Sequence, residues 1–320
     1  MFKDLCDKYT DTISCESNYE SIGKSIQGRD IWLFKFGNPK GGRVMWDGSG
    51  HGPEDAGTEA EYLFAKWTLE SNEPEAKKVL EGNYLLFIPV LNIDSNGARQ
   101  NLRRQYVLDN GTVINVPYGV DLNRNAVTGW EGSGSGDPNN DYEYRGLYGG
   151  SEPETQAYRF AMSKYKPQFY VNTHFGGAYA LHKNSTLYSG IDNNFTIRYN
   201  NLTTALGVAK YPITGGLAGG YIANDGWSYG ASAWLIEFAD WTYVDTYVPT
   251  YNQFVTTLYP RIFPILLAMC QAVENPVLNN ETKTDDWVQL VIDNSVSITL
   301  IAGASTILLV ILVKKAKRKK

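Results

Sequence analysis

Two histidines and two glutamates of this chain have the residue types and positions for joint chemistry. The chain has only three histidines in 320 residues. His51 lies in the stretch MWDGSGHGPEDAGTE, three residues before Glu54. Neutral imidazole and carboxylate groups are both good ligands for Zn²⁺, and side chains three residues apart in a helical turn can face the same point. A single His-x-x-Glu pair is usually accidental, so its interpretation depends on the rest of the chain.

A third ligand must come from elsewhere, and His174 and His182 are the candidates. His174 is favoured because it closes the apolar run FYVNTH close to Gly176 and Gly177, small residues that leave room. Two histidines and one carboxylate leave the fourth position of a zinc ion open to water, as in catalytic sites. Such an ion lowers the pKa of its water and polarises a carbonyl group, so a separate carboxylate must take the proton.

Glu237 is the candidate for that general base. It lies within the apolar run SAWLIEFAD, where a charge is costly and invites a functional explanation. The alternative is a buried glutamate that pairs with an arginine.

Basic and amide side chains follow the central apolar run. From the segments ARQNLRRQY and GVDLNRN we single out four of them: Arg103, Arg104, Asn123 and Arg124. Guanidinium forks and an amide suit bidentate binding of a carboxylate. The long Gly/Asn/Asp-rich loop that follows, residues 125–150, is a linker or the rim of a functional site. We interpret the cluster as a pocket that anchors a substrate.

The order of apolar runs predicts an α/β domain with a mixed or mainly parallel sheet covered on both faces. Buried strands are predicted at 30–37, 42–48, 83–92, 167–174 and 232–240, and helices at 56–69, from 152 onward, and at 251–273, the last interrupted by Pro260 and Pro264. In such sheets ligands gather at the carboxyl ends of strands. His51, His174 and Glu237 all lie at or near such ends.

Composition excludes several classes of protein. The formal net charge of −5 argues against a general nucleic-acid binder. With 43% hydrophobic and 20% charged residues the chain is not disordered overall. Three cysteines are too few for a disulfide scaffold, although Cys6 and Cys15 are close enough in sequence to pair outside the cytoplasm.

The C-terminal part predicts membrane attachment. Residues 294–313 carry no charge, and six of the seven residues after them are basic. We expect a polar stalk at 276–290, a transmembrane helix at 291–313 and a basic cytoplasmic tail at 314–320, with the preceding domain outside. A buried C-terminal helix is the alternative. The first twenty residues have no apolar signal segment, so we expect that the sequence lacks its true start or is exported by another route.

Together these motifs resemble the zinc carboxypeptidases, the group of carboxypeptidases A, B and T. The resemblance covers residues 18–275, and its motifs follow one another along the chain: SIGKSIQGRDIWLFKFG, HGPED, PVLNIDSNGARQNLRR, GVDLNRN, SEPET, NTH and WSYGASAWLIEF. It implies one catalytic domain over residues 1–275. The implied fold is an α/β/α sandwich around a mixed, mostly parallel eight-stranded sheet.

The resemblance also implies a role for each candidate residue. His51, Glu54 and His174 would hold one Zn²⁺. Glu237 would be the general base that activates the metal-bound water and later protonates the leaving amine. Asn123 and Arg124 would grip the terminal carboxylate of the substrate. Arg103 would stabilise the oxyanion of the scissile carbonyl, with Arg104 as its competitor.

The sequence departs from the family's pattern at several positions. Pro53 stands where some relatives carry an arginine, and His174 is followed by Phe-Gly-Gly instead of the usual Ser/Thr-Tyr pair. Tyr221 is our candidate for the tyrosine that caps the substrate. Asp225 lies near the position that sets side-chain preference in relatives, which would favour a basic last residue.

Three functions are consistent with these residues. The first is a membrane-anchored carboxypeptidase that acts on the C-termini of peptides or proteins, contacts the bilayer through residues 291–313, and binds no nucleic acid. The second is a zinc amidohydrolase that cleaves cell-wall or other carboxylate-bearing amides. The third is a catalytically inactive surface binding protein that keeps the fold. The presence of His51, Glu54, His174 and Glu237 argues against the third.

Overall fold

Alternating strands and helices build the described part of the chain, for which we use a computed structural model. It describes residues 1–9, 16–95, 97–175, 180–183, 189–215, 220–238, 251–274, 296–303 and 306–313. The strands are β1 (Glu16–Lys24), β2 (Asp30–Gly37), β3 (Gly42–Asp47), β4 (Asn83–Ile88), β5 (Gln105–Val107), β6 (Val113–Asn115), β7 (Phe169–His174), β8 (Ala180–Lys183), β9 (Ile213–Gly215), β10 (Ser232–Glu237), β11 (Val296–Gly303) and β12 (Thr306–Val313). The helices are α1 (Phe2–Tyr9), α2 (Ala56–Glu70), α3 (Pro74–Gly82), α4 (Pro153–Tyr165), α5 (Ser189–Leu206), α6 (Ile222–Ser228), α7 (Tyr251–Gln253) and α8 (Tyr259–Glu274).

One mixed sheet organises the domain, in the strand order β1-β2-β4-β3-β7-β10-β8-β9. Its centre is parallel, because β4, β3, β7 and β10 are parallel neighbours. The pairings β1–β2, β2–β4 and β10–β8 are antiparallel. The predicted mixed α/β fold is therefore confirmed. Six strands of six to nine residues form the body of the sheet, and the expected number of eight is reached only with the short β8 and β9, of four and three residues.

Helices cover both faces of this sheet. Trp46 of β3 packs on one side in a core that includes α2, α3 and α8, whereas the preceding Met45 packs on the other side with α4 and α6. Adjacent strand residues point to opposite faces, so both must be apolar when both faces are covered. The continuous apolar runs in the sequence reflect this three-layer arrangement.

The proline-containing segment forms a core helix rather than a broken one. Pro264 lies inside α8, which continues to Glu274, and a π-helical turn at Phe254–Leu258 precedes it. The span Phe254–Val273 is the one helix of the described residues long and apolar enough to cross a membrane, but 78% of its apolar window is buried in the protein. Phe263, for example, packs edge-on against Trp67 of α2 at 4.9 Å. This helix therefore belongs to the domain core.

The described residues of the predicted transmembrane helix 291–313, which are 296–303 and 306–313, do not form a helix. Instead β11 and β12 pair as an antiparallel hairpin, with Val296 opposite Val313 and Gly303 opposite Thr306. The segment is rich in Val, Ile and Thr, whose branched side chains favour strands. Hydropathy alone does not distinguish an apolar helix from a pair of apolar strands. The whole predicted stalk and the whole predicted tail lie outside the described residues.

Glu61 of α2 is a carboxylic acid buried in the core. Its side chain is 0% exposed, and neither of its carboxylate oxygens has a hydrogen-bond partner among the described residues. Burial, and to a smaller extent the negative charge of Asp47, raise the pKa of Glu61 well above its ordinary value of 4.5. The folded protein therefore keeps this group protonated at pH values where the unfolded chain has lost the proton.

We expect this group to make stability depend on pH. The folded-state pKa is raised, so stability falls as pH rises from about 4.5 toward the raised pKa, by about 1.4 kcal/mol for each pH unit. The variant Glu61→Gln should lose this dependence. Glu61→Met, which also removes the unsatisfied oxygens, should be more stable than the parent at pH 8. Thermal melts at pH 5 and pH 8 check this, and the same pH dependence in all three proteins would contradict it.

Candidate active site

The segment after β3 positions two of the predicted metal ligands. The strand ends at Asp47, and the backbone N–H of Glu54 donates to the carbonyl of His51 at 3.0 Å. This turn brings the two side chains together before α2 begins. Ser49 has φ of 50°, a left-handed conformation that costs a non-glycine residue roughly 1 kcal/mol or more and that redirects the chain at this point.

The third predicted ligand comes from the neighbouring strand. β3 and β7 are parallel, with Asp47 opposite Asn172, so the carboxyl ends of the two strands meet at one edge of the sheet. His174 is the last residue of β7. Gly57 lets the first turn of α2 approach this edge, because a Cβ at that position would overlap the Thr173 hydroxyl. The helix N-terminus therefore lies directly against the strand that carries His174.

The three side chains form one buried group. His51 Nδ1 lies 2.9 Å from one Glu54 oxygen, and His174 Nδ1 lies 2.8 Å from the other. The two Nδ1 atoms are 3.2 Å apart, close to the roughly 3.3 Å expected for two nitrogens bound tetrahedrally at about 2.0 Å from one zinc ion. All three side chains are at most 5% exposed. The donor set therefore fits Zn²⁺, and it is the group that the sequence predicts.

Each histidine has an acceptor at its other ring nitrogen. His51 Nε2 lies 3.0 Å from an Asp121 carboxylate oxygen, and His174 Nε2 lies 2.6 Å from the Asn172 side-chain carbonyl. The Asn172 amide in turn donates to Asp47 at 2.8 Å. These acceptors favour a proton on Nε2 and leave the Nδ1 lone pair for a metal, which is the usual arrangement around metal-binding histidines.

The same contacts set the charge states of the group. Burial opposes ionisation of Glu54, but His51 and His174 outweigh it and lower the pKa of this carboxyl well below its usual range. Burial likewise opposes protonation of His51, yet the Glu54 and Asp121 carboxylates raise its pKa to about 9. Because metal ligands must be deprotonated, binding of a metal ion here would release the proton from His51 Nδ1.

Like Asp121, Arg99 lies beside this group and was not singled out by the sequence interpretation. Its Nε and Nη2 donate to one Asp121 oxygen at 3.2 and 3.0 Å, and its Nη1 lies 3.8 Å from Glu54. The ring of Tyr142 covers the guanidinium at 4.3 Å. Arg99 is part of the quoted segment ARQNLRRQY, but that segment begins in irregular structure, so no periodicity indicates which of its three arginines faces the metal ligands.

The structure places Arg103 and Arg104 elsewhere. Arg103 Nε donates to the fully buried Glu152 at 2.8 Å, and its guanidinium lies over Tyr106. Arg104 is exposed and donates to the carbonyl of Arg103. Neither has a contact with the metal-ligand group among the described residues. The expected position beside the metal ligands is thus occupied by Arg99, and Arg103 stabilises a buried carboxylate instead.

Asn123 and Arg124 are linked to the metal-ligand group through Asp121, which contacts both His51 and the Asn123 backbone. They belong to a single 3₁₀ turn, Leu122–Arg124, that Asp121 caps by accepting from the Asn123 N–H at 2.9 Å. The Asn123 side-chain carbonyl accepts from the Ile222 N–H at 3.0 Å, which fixes the amide. The Arg124 guanidinium lies 4.6 Å from the centre of the Tyr221 ring. Tyr221 therefore supports this arginine from the start of α6.

Asp225 does not serve as a determinant of side-chain preference in this structure. Its carboxylate is 0% exposed, pairs with Arg159 at 2.6 Å, and accepts from the N–H groups of Val127 and Thr128. It anchors the start of the long loop at 125–150. That loop is the rim of the site rather than a linker, because Tyr142 reaches Arg99 from it.

Glu237 closes β10 beside the ligands. It is the register partner of His174 on the adjacent parallel strand, and it is partly exposed. Residues at one register position of neighbouring strands project from the same face, so Glu237 shares a face with His174. His182 lies on β8 opposite Leu235.

Comparison with known proteins agrees with this geometry. The zinc carboxypeptidase family matches residues 3–261. The chain belongs to the zinc carboxypeptidase family. Members of this family use one Zn²⁺, and His51, Glu54 and His174 supply a matching site.

Individual relatives are distant. The chain is 28% identical to human carboxypeptidase A6 over 182 residues, which is 54% of this chain and 41% of that protein. It therefore matches about two fifths of the length of this relative. The structure of thrombin activatable fibrinolysis inhibitor superposes with a TM-score of 0.72 at 18% identity, over 86% of this chain and 73% of that one. Carboxypeptidase A from Helicoverpa armigera gives 0.68 at 18% identity, over 86% and 72%. These two structural similarities show that this chain shares the fold of those proteins.

We predict that zinc binding depends on the three ligands and also on Asp121, which contacts His51. His51→Ala should abolish binding of one zinc per chain, whereas Asp121→Asn, which leaves the three ligands in place, should weaken affinity roughly 10- to 100-fold. Metal content after dialysis against buffered zinc measures both effects. His182→Ala is the matched control and should retain one zinc. Equal zinc content in His51→Ala and the parent would contradict this site.

Proposed function

We propose that this chain is a zinc-dependent carboxypeptidase that hydrolyses the last peptide bond of peptides or proteins. The observation that carries this proposal is the adjacency of two sites. A buried His-Glu-His group lies beside Asn123 and Arg124, a pair suited to a terminal carboxylate, and Asp121 contacts both the metal ligand His51 and the Asn123 backbone. A substrate held by its carboxylate would therefore present its last peptide bond near the metal ligands.

The chain's own residues supply the remaining roles. When bound, Zn²⁺ supplies a Lewis acid that polarises a carbonyl group and lowers the pKa of water. Glu237 would accept the proton of the attacking water and then donate it to the departing amine. Arg99 would donate hydrogen bonds to the oxygen of the scissile carbonyl as it gains negative charge. We assign this role to Arg99 rather than Arg103 because, of the two, only Arg99 lies beside the ligand Glu54 and pairs with Asp121, the carboxylate behind His51.

The test of the general base is Glu237→Gln. The amide has nearly the same shape but cannot accept the proton, so the rate of peptide cleavage should fall by roughly 10²- to 10⁴-fold. Zinc content and melting temperature should stay close to those of the parent. Assays of amino-acid release under saturating substrate measure the rate. A variant that retains zinc and near-normal turnover would contradict the assignment of Glu237 as the general base.

Removal of Arg99 should lower catalytic turnover, whereas removal of Arg103 should lower stability. Arg99→Ala should lower the turnover number by roughly 10²- to 10³-fold, because it removes a donor to the reacting oxygen. Arg103→Ala leaves the buried Glu152 without its cation, so it should lower the free energy of unfolding by roughly 3 kcal/mol while turnover of the folded fraction changes little. Parallel kinetics and chemical denaturation check this. Loss of turnover in Arg103→Ala, with loss of stability alone in Arg99→Ala, would indicate that Arg103 has the catalytic role.

We propose in addition that residues 291–313 attach the protein to a membrane, with the catalytic domain outside and the basic tail in the cytoplasm. The support is the uncharged stretch 294–313 followed by six basic residues in seven. A hairpin alone leaves the outer edge of each strand unpaired, which a bilayer core does not tolerate. Lipid would therefore favour a helix or further strand pairing for this segment.

Fractionation of expressing cells tests the attachment. The full chain should remain in the membrane pellet after a carbonate wash, and a chain that ends at residue 280 should not. Recovery of both proteins in the soluble fraction would contradict the attachment without affecting the proposed reaction.

A further inference from the structure

A carboxylate of the chain itself already pairs with the arginine proposed to bind the substrate. Glu143 Oε1 accepts from Arg124 Nη2 at 2.5 Å, a short charge-assisted hydrogen bond. The resemblance to the family did not single out Glu143. Its position matters because, in the proposed function on which this inference rests, Arg124 is the partner of the terminal carboxylate.

The backbone of Glu143 is fixed. Its N–H donates to the Asn140 side chain at 2.6 Å, and its carbonyl accepts from the Ser135 N–H at 2.8 Å. The next residue, Tyr144, is 2% exposed and packs in a small apolar core. Nearby, Gln100 donates to the Asp141 carbonyl at 2.6 Å, which ties the rim to the segment that carries Arg99. Glu143 is therefore held beside Arg124.

The side chains of the pair differ in freedom. Arg124 is 11% exposed, and besides Glu143 it contacts the Asn123 carbonyl and the Tyr221 ring. The Glu143 side chain is 40% exposed, so its carboxylate can rotate away from Arg124 into solvent without moving the backbone. The pair is thus one fixed cation with one displaceable anion.

The negative charge of Glu143 affects how a peptide carboxylate binds to Arg124. A peptide carboxylate that approaches Arg124 meets a guanidinium whose charge Glu143 already balances, and two carboxylates at one guanidinium repel each other. We propose that Glu143 is a specificity-determining residue that competes with the peptide's terminal carboxylate for Arg124. It thereby disfavours peptides whose last residue adds a second negative charge.

The experiment compares the zinc-loaded parent with Glu143→Gln on two peptides that differ only in a last residue of Gln or Glu. In the variant, KM should fall roughly two- to fivefold with kcat unchanged, and the preference for Gln over Glu should shrink. Glu131→Gln is the matched control, because it removes the same charge from an exposed position of the same loop and should leave KM unchanged. An unchanged or higher KM in Glu143→Gln would overturn the proposal, and a higher one would mean that Glu143 only positions Arg124.

Failure of the proposed function gives a different result. If the parent releases no amino acid from any peptide, the carboxypeptidase proposal fails. Calorimetry with N-acetyl-glutamine and its amide then tests Glu143 directly. Tighter binding of the carboxylate, but not of the amide, to Glu143→Gln would support the competition, and equal carboxylate affinity in parent and variant would overturn it.

Discussion

The contacts of one buried carboxylate hold the candidate active site together. Asp121 is 0% exposed and lies within hydrogen-bond distance of His51, Arg99 and the backbone N–H of Asn123. A buried charge of this kind is tolerated only when its partners are in place, and the neighbouring cations lower the pKa of this carboxyl well below its usual range although burial opposes it. The same residue therefore orients a metal ligand, fixes an arginine beside it and caps the turn that carries Arg124.

The central parallel strands of the sheet position the metal-binding histidines and Glu237. His51 follows β3, His174 ends β7 and Glu237 ends β10, three consecutive parallel strands in the sheet. Parallel strands bring their carboxyl ends to one edge, so residues distant in sequence meet there. The core beneath them is apolar on both faces of the sheet and holds these strand ends in register.

Periodic features were predictable from the sequence, and irregular ones were not. The stripe on α2 that includes Ala60, Phe64 and Trp67 is buried as its helical spacing indicates, and the three metal ligands follow from residue type and strand ends. Arg99 was missed because it lies in irregular structure, where spacing gives no direction to a side chain. The role of Asp225 depends on Arg159, which is distant in sequence, and the apolar segment near the C-terminus is equally apolar as a helix or as two strands.

The most direct test of the account uses two peptides of identical sequence, one with a free terminal carboxylate and one amidated. Our account predicts that the zinc-loaded chain releases the last amino acid only from the free peptide, that a chelator stops the release, and that added Zn²⁺ restores it. The central claim is that the metal-ligand group and Arg124 act together on peptide C-termini. Absence of release from the free peptide by a protein that holds one zinc per chain would contradict it.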